Sequence, residues 1–365
     1  MTTIDNAFRL SSQAHCDRPI GGRRFDLPVA LLSLWLLLGT YLDGFAHHNI
    51  PDTIDTFFTP WHAILYSGFL AVAGFILFHQ VRNMAQGHAW NKALPAGYSL
   101  SLLGIPLFML AGVGDALWHG IFGFEAGIEA LLSPTHLLLV TGVMLLFSGP
   151  LRAAWRRSYS EAKTGWADLF PTVLSLLLIL SALTFFTEYA NALVSPGLVV
   201  ENPAVGGSGL LAALFQYHRQ AQGVAGVLIP AALITGILLV GLQRRTLPPG
   251  SLTLIVSGNG LLMAGFHYSN VSAYPQVLVP ILAGGLIADI AYRWLQPSAT
   301  RVRELRLFAF VVPFVLFALY FAVLVSTVGV WWSIHMWSGA AVLAGVVGLL
   351  MSFLAVPPLT QEKVS

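Results

Sequence analysis

Ten stretches of this chain are each long and apolar enough to cross a lipid bilayer, and together they take up about two thirds of the sequence. They lie near 27–48, 60–82, 96–121, 134–155, 167–190, 212–243, 250–270, 274–296, 306–328 and 332–355. A spanning helix needs about 20 mostly apolar residues. Composition agrees: 56% of the residues are hydrophobic and 9% are charged, where a soluble domain carries about a quarter charged residues. The expected fold is an all-α integral membrane protein of about ten transmembrane helices arranged as helical hairpins. Pro106, Pro230, Pro280 and Pro313 fall inside runs, where neighbouring helices can satisfy the backbone groups a kink releases. The sixth run exceeds the length of a span, so its first turns are expected outside the bilayer.

The few charges orient the bundle. Lys and Arg collect on cytoplasmic loops. Arg9, Arg18, Arg23 and Arg24 precede the first run. Arg82 and Lys92 follow the second, and Arg152, Arg156, Arg157 and Lys163 follow the fourth. Arg244 and Arg245 follow the sixth, Arg293, Arg301, Arg303 and Arg306 surround the eighth link, and Lys363 lies near the end. Only Arg219 falls on the other side. This pattern predicts cytoplasmic termini in the cell (inner) membrane of a bacterium. It divides the chain into a polar cytoplasmic tail at 1–26, a transmembrane domain at 27–355 and a cytoplasmic tail at 356–365. The first run ends in Asp43-Gly44-Phe45-Ala46-His47-His48 without a small-x-small cleavage site, so it is expected to remain as an uncleaved span. The outer links carry Asp52, Asp55, Glu125, Glu129 and Glu201 and no Lys or Arg. The Gly- and Pro-rich link after Glu188 reads as a loose surface loop or a lid. The one cysteine, Cys16, excludes disulfides within the chain. No basic cluster with interleaved aromatics points to nucleic acid, and the lipid bilayer is the partner that composition demands.

One pattern occurs twice. Asp43-x3-His47 leads through a short link to Thr59-Pro60-Trp61-His62 and on to Ser67-Gly68. Asp115-x3-His119 leads to Ser133-Pro134-Thr135-His136 and on to Thr141-Gly142. The His-to-His link is two residues longer in the second copy. The first two hairpins, 27–82 and 96–155, therefore read as an internal duplication, with the later hairpins as decayed copies.

The pattern carries metal chemistry. Eight of eleven histidines, namely His47, His48, His62, His119, His136, His218, His267 and His335, fall at or just inside the outer ends of runs. Asp43 with His47, and Asp115 with His119, are spaced i,i+4 and share a helix face. Each carboxylate either ligates a metal beside its imidazole or accepts the imidazole N–H and fixes its tautomer. A structural hydrogen-bonded pair between helices is the plain alternative. Thr59 and Ser133 suit the N-cap position and Pro60 and Pro134 the first helical position. Each following His then sits near a helix N-terminus, where the dipole disfavours imidazolium, and neutral imidazole is the metal-binding form. A His that merely caps its own link fits the same residues. Met263 with His267, and Met336 beside His335, add thioether ligands suited to copper. Glu188 reads as a ligand, a proton acceptor or a boundary residue. Asp289, four residues before Arg293, reads as an ion pair near the cytoplasmic face. Trp61, Trp118, Trp331, Trp332 and Trp337 read as an interfacial belt or as walls of a pocket for an apolar substrate.

Asp115-x3-His119 followed by His136 locally resembles the copper site in the C subunit of particulate methane and ammonia monooxygenases, where a membrane helix offers Asp-x3-His and a downstream His. The downstream spacing here is longer than in that family. The resemblance implies that Asp115, His119 and His136 jointly hold copper.

Two functions follow as expectations. One is a membrane metalloenzyme, an oxidoreductase or hydrolase, at the extracytoplasmic surface. It would bind copper, with zinc or iron as alternatives, through His47, His62, His119, His136, Asp43 and Asp115, with His48, His218, His267 and His335 as further candidates. Asp43, Asp115 and Glu188 would act as bases or hold the ligands, and the substrate would be small or lipid-soluble. The other is metal handling, delivery or transport with a partner subunit or metal chaperone. The inner halves of the runs are mainly Leu, Val, Ala, Gly and Phe, which argues against a conducting path. A haem-binding electron carrier, with Arg219 near a propionate, is a further alternative.

Overall fold

The computed structural model describes residues 18–50, 59–123, 127–157, 165–203, 209–243 and 246–357. Most of both tails, including Cys16, lies outside them. So do Asp52, Asp55, Glu125, Lys163, Arg244, Arg245 and the Gly-rich 205–208. Among the described residues no strand occurs. Nine helical spans among the described residues are long and apolar enough to cross a membrane, and the protein is a multi-pass helical membrane protein. The seventh run forms a helix of 16 residues, Ser251–Phe266. At 1.5 Å per residue it covers about 24 Å, short of a bilayer core of about 30 Å. The chain breaks at His267 and resumes helix at Tyr268–Ala273. Leu70, Leu110, Val113 and Leu354 are each 60% exposed or more, as lipid-facing side chains of spanning helices should be.

The chain divides into two compact units, residues 1–182 and 183–365. In the first, α1 (Arg23–Asn49) and α2 (Pro60–Ala85) form one hairpin. α3 (Ser99–Phe122) and α5 (Pro134–Phe147) form a second, with the short α4 (Ile128–Leu132) between them. α6 (Gly149–Arg156) completes the span that α5 begins. Thr59 and Ser133 cap α2 and α5 by accepting the backbone N–H of His62 and His136 at 3.1 and 3.3 Å, and proline follows each cap as the missing N–H there allows. α3 ends at Gly123, whose φ of 81° is a backbone conformation that glycine adopts without the penalty of a Cβ.

Close crossings draw each hairpin together. A Cβ on Gly39 would lie 2.6 Å from Leu65 Cα, and one on Gly68 would lie 2.7 Å from Leu36 Cα. In the second hairpin Gly104 would meet the Gly142 carbonyl at 2.8 Å, and Gly142 would meet the Phe108 backbone nitrogen at 3.0 Å. The [Ser/Thr]-Gly of the repeated pattern is thus the crossing point of each hairpin. Its hydroxyl turns back onto its own helix, Ser67 to the Ile64 carbonyl and Thr141 to the Leu137 carbonyl, both at 2.8 Å. Replacing Gly68 with valine should force α1 from α2 and cost about 1–3 kcal/mol, read as a lower unfolding midpoint in detergent. Gly74, where an added Cβ meets nothing within 4 Å, should tolerate the same change.

The two hairpins meet through Phe69 stacked on Phe108 at 4.3 Å and through Tyr66, whose hydroxyl approaches Gly112. At the other end, Asp26 on α1 accepts from Tyr98 at 2.7 Å and pairs with Arg157. Arg152 there donates to the Gly97 and Leu145 carbonyls and to Ser101, each at 2.9 Å. α7 (Trp166–Phe186) runs through the division between units.

The second unit contains α8 (Gly197–Val200), α9 (Leu210–Leu242, 33 residues), α10 (Ser251–Phe266), α11 (Tyr268–Ala273), α12 (Leu278–Leu295), α13 (Val302–Thr327) and α14 (Ile334–Ala355). Three expectations change here. The link after Glu188 is packed, not loose, where it is described: Ala192, Val194 and Val199 are buried. Irregular backbone at membrane depth must find internal partners. Ala192 N–H donates to the Gly226 carbonyl at 2.9 Å, Tyr320 donates to the Ala192 carbonyl at 2.6 Å, and the Trp331 indole donates to the Leu198 carbonyl at 3.2 Å. Trp332 is 3% exposed and packs on Phe321, so it belongs to this core and not to a belt. Asp289 caps a neighbouring helix start. It accepts from Gly250 N–H at 3.1 Å and from the N–H and hydroxyl of Thr253, both at 2.7 Å.

Candidate metal centre

The two hairpins bring four helix ends to one level. Asp43 and His47 lie in the last turns of α1, with His62 in the first turn of α2. Asp115 and His119 lie in the last turns of α3, with His136 in the first turn of α5. Among the described residues, two groups of His and Asp place one ligand atom per residue within 4.8 Å of one another: Asp43–His47–His62 and Asp115–His119–His136.

The distances discriminate between a hydrogen-bonded cluster and a ligand set. His47 Nε2 and His62 Nε2 lie 3.9 and 3.5 Å from Asp43 Oδ2. His119 Nε2 lies 3.5 Å from Asp115 Oδ2, and His136 Nε2 lies 3.3 Å from Asp115 Oδ1. All four exceed the 2.7–3.2 Å of an N–H···O bond. Two ligands on a tetrahedral ion with bonds of about 2.0–2.2 Å lie about 3.3–3.6 Å apart. Three of the four separations fall in that range, and His47, the exception, is the most exposed of the four imidazoles at 40%.

Proton assignment in the second group points the same way. His119 Nδ1 lies 3.2 Å from the Gly123 carbonyl. A carbonyl only accepts, so Nδ1 carries a proton, and in the neutral tautomer this leaves Nε2 as the lone-pair nitrogen facing Asp115. Thr135 donates its hydroxyl proton to Asp115 Oδ1 at 2.8 Å. Ser133, 3.1 Å from Thr135, must then donate to it, and so accepts from His136 Nδ1 at 2.8 Å. His136 thereby also turns an Nε2 lone pair to Asp115. In that tautomer two imidazole nitrogens and a carboxylate together offer a cation three ligands. The hydrogen bonds on Nδ1 are those that orient a metal-ligating histidine. The first group has its own signature: Asp43 Oδ1 is buried and finds no hydrogen-bond donor among the described residues.

The two groups are electrostatic neighbours. Asp115 acts on Asp43, and His62, His119 and His136 act on His47. Tyr66, one turn beyond His62, feels both carboxylates, and its ring lies 6.2 Å from that of His62. Its place beside Gly112 depends on a contact between hairpins, which no spacing in the sequence announces. Thr135 was equally hidden: its counterpart in the first pattern is Trp61, so comparing the copies hides it as a variable position.

The remaining candidates lie elsewhere. His48 is exposed on α1 and belongs to neither group. In the second unit His218 and His335 are exposed. His267, at the break between α10 and α11, is 2% exposed, and its Nε2 lies 2.7 Å from Glu188 Oε2. Glu188 is therefore the carboxylate that faces His267. Met263 is buried in α10, so the two groups themselves are built from nitrogen and oxygen alone. Comparison of the chain with family models, with curated proteins and with solved structures finds no match in any of the three.

Proposed function

We propose that this membrane protein is a metalloprotein that holds transition-metal ions at Asp43–His47–His62 and Asp115–His119–His136, and that it acts as an enzyme on a small or lipid-soluble substrate. The observation that carries the reading is the approach of two imidazole nitrogens, Nε2 of His119 and of His136, to the two oxygens of Asp115 at ligand-to-ligand spacing. Copper is the favoured ion. Divalent copper heads the affinity order for nitrogen and oxygen donors, and the local resemblance to the copper site of the monooxygenase C subunits agrees. Zinc or iron fits the same donors. A shared carboxylate favours an ion over haem, whose two imidazoles would stand on opposite faces of a porphyrin. The excess of Arg and Lys on the opposite links supports an extracytoplasmic site and cytoplasmic termini. The same succession of Asp, His, cap, His and glycine crossing in the two hairpins supports their reading as a duplicated unit.

Elemental analysis of gently purified protein, with its absorption spectrum, tests the proposal. Stoichiometric metal is expected in the wild type, with reduced content in His119→Ala and His136→Ala. Absence of stoichiometric metal from the wild type would sink it, and unchanged loading in both variants would move the site elsewhere.

A further inference from the structure

The two groups share residue types but differ in how the carboxylate faces the imidazoles. Asp115 presents Oδ2 to His119 and Oδ1 to His136, so each of its oxygens faces a different imidazole. Its side chain is 3% exposed, and Thr135 steadies Oδ1. Asp43 presents the same oxygen, Oδ2, to both His47 and His62. Only three donor atoms then converge. The fourth candidate, Asp43 Oδ1, is buried without a donor among the described residues, and His47 is 40% exposed. Closed donor sets are the mark of structural metal sites, and catalytic sites keep a position open.

Resting on the metal-binding reading above, we propose that the two sites differ in kind. Asp115–His119–His136 holds its ion within four donor atoms. Asp43–His47–His62 holds its ion by three and keeps one position for an exchangeable small protic ligand, water in the simplest case, with Asp43 Oδ1 as the acceptor of that ligand's hydrogen bond. The reactive centre is then the first site, and the second is its fixed companion. Asp43 is a positioning residue as well as a ligand. The difference traces to one position in the repeated pattern. Thr135 supplies a hydroxyl to its carboxylate, and Trp61, in the corresponding place, has none to supply.

The full chain in detergent, stripped of metal and loaded with Co²⁺, tests this. Two ions per chain are expected, one of them leaving to a chelator at least about 10-fold faster than the other. Loss of an orienting hydrogen bond typically weakens a metal site by about 10–100-fold, so Thr135→Val should speed the slow ion by that factor and leave the fast one unchanged. His62→Ala should retain the slow ion alone. Azide should alter the visible spectrum of the fast ion only, and Trp61→Thr should slow its release. Equal release rates, a single shared ion, or azide binding at the ion that Thr135→Val loosens would overturn the inference and leave metal binding standing. Failure of the wild type to take up stoichiometric Co²⁺ would remove the underlying reading as well.

Discussion

Asp115→Asn should leave the second hairpin folded and its metal site empty. The two side chains have nearly the same shape, and the amide oxygen can still accept from Thr135. The amide nitrogen has no lone pair to give an ion, so one of the two oxygens facing the imidazoles is lost as a donor. The negative charge that offsets the ion goes with it. Loss of an outer hydrogen bond alone weakens metal sites about 10–100-fold, and removing a ligand that is also the only anion of its group should exceed that. Metal content after gel filtration against a competing chelator should fall to that of the first site. The unfolding midpoint of the metal-free protein should move little. Full retention of metal by Asp115→Asn would falsify its role as a ligand.

The second large effect lies at the opposite end of the same unit. Arg157→Met should destabilise the first unit by about 3 kcal/mol, because it leaves Asp26 charged and buried. Breaking one side of a buried pair typically costs 3–5 kcal/mol. The lower figure applies here because Arg157 is 21% exposed and Tyr98 still donates to Asp26. Replacing both partners, as Asp26→Leu with Arg157→Met, should recover part of the loss, since an apolar pair leaves no charge stranded. The unfolding midpoint in detergent reads both, with metal content as a control. A double variant as unstable as the single one would show that the pair's hydrogen bonds, not the stranded charge, set the cost.

The spanning helices were legible because lipid imposes a simple demand, about 20 apolar residues with internally satisfied backbone. The 33 residues of α9 and the caps at Thr59 and Ser133 were legible for equally local reasons. Misreadings arose where two physical situations share a composition. Gly and Pro mark an exposed loop and a packed irregular segment alike, and only the donors from Tyr320 and Trp331 distinguish the latter. Asp289 stands four residues before Arg293, yet its oxygens point to the unsatisfied N–H groups that open α10. Trp332 looked interfacial by position, and burial against Phe321 is a tertiary fact. Within the site, spacing picked out Asp43, His47, Asp115 and His119. Tyr66 and Thr135 owe their places to the packing of one helix against another.

The glycine crossings also make each hairpin a lever. Gly68 and Gly142 each lie six residues beyond the histidine that opens their helix, about 9 Å along the axis at 1.5 Å per residue. Pivoting α2 or α5 about its crossing by about 10° carries that imidazole roughly 1.5 Å, most of a metal–ligand bond length. Helix tilt is the variable through which a bilayer's thickness acts on a spanning protein. An ion held at these helix ends would therefore be mechanically linked to the membrane, and a change in lipid chain length would tighten or loosen its site without touching a ligand.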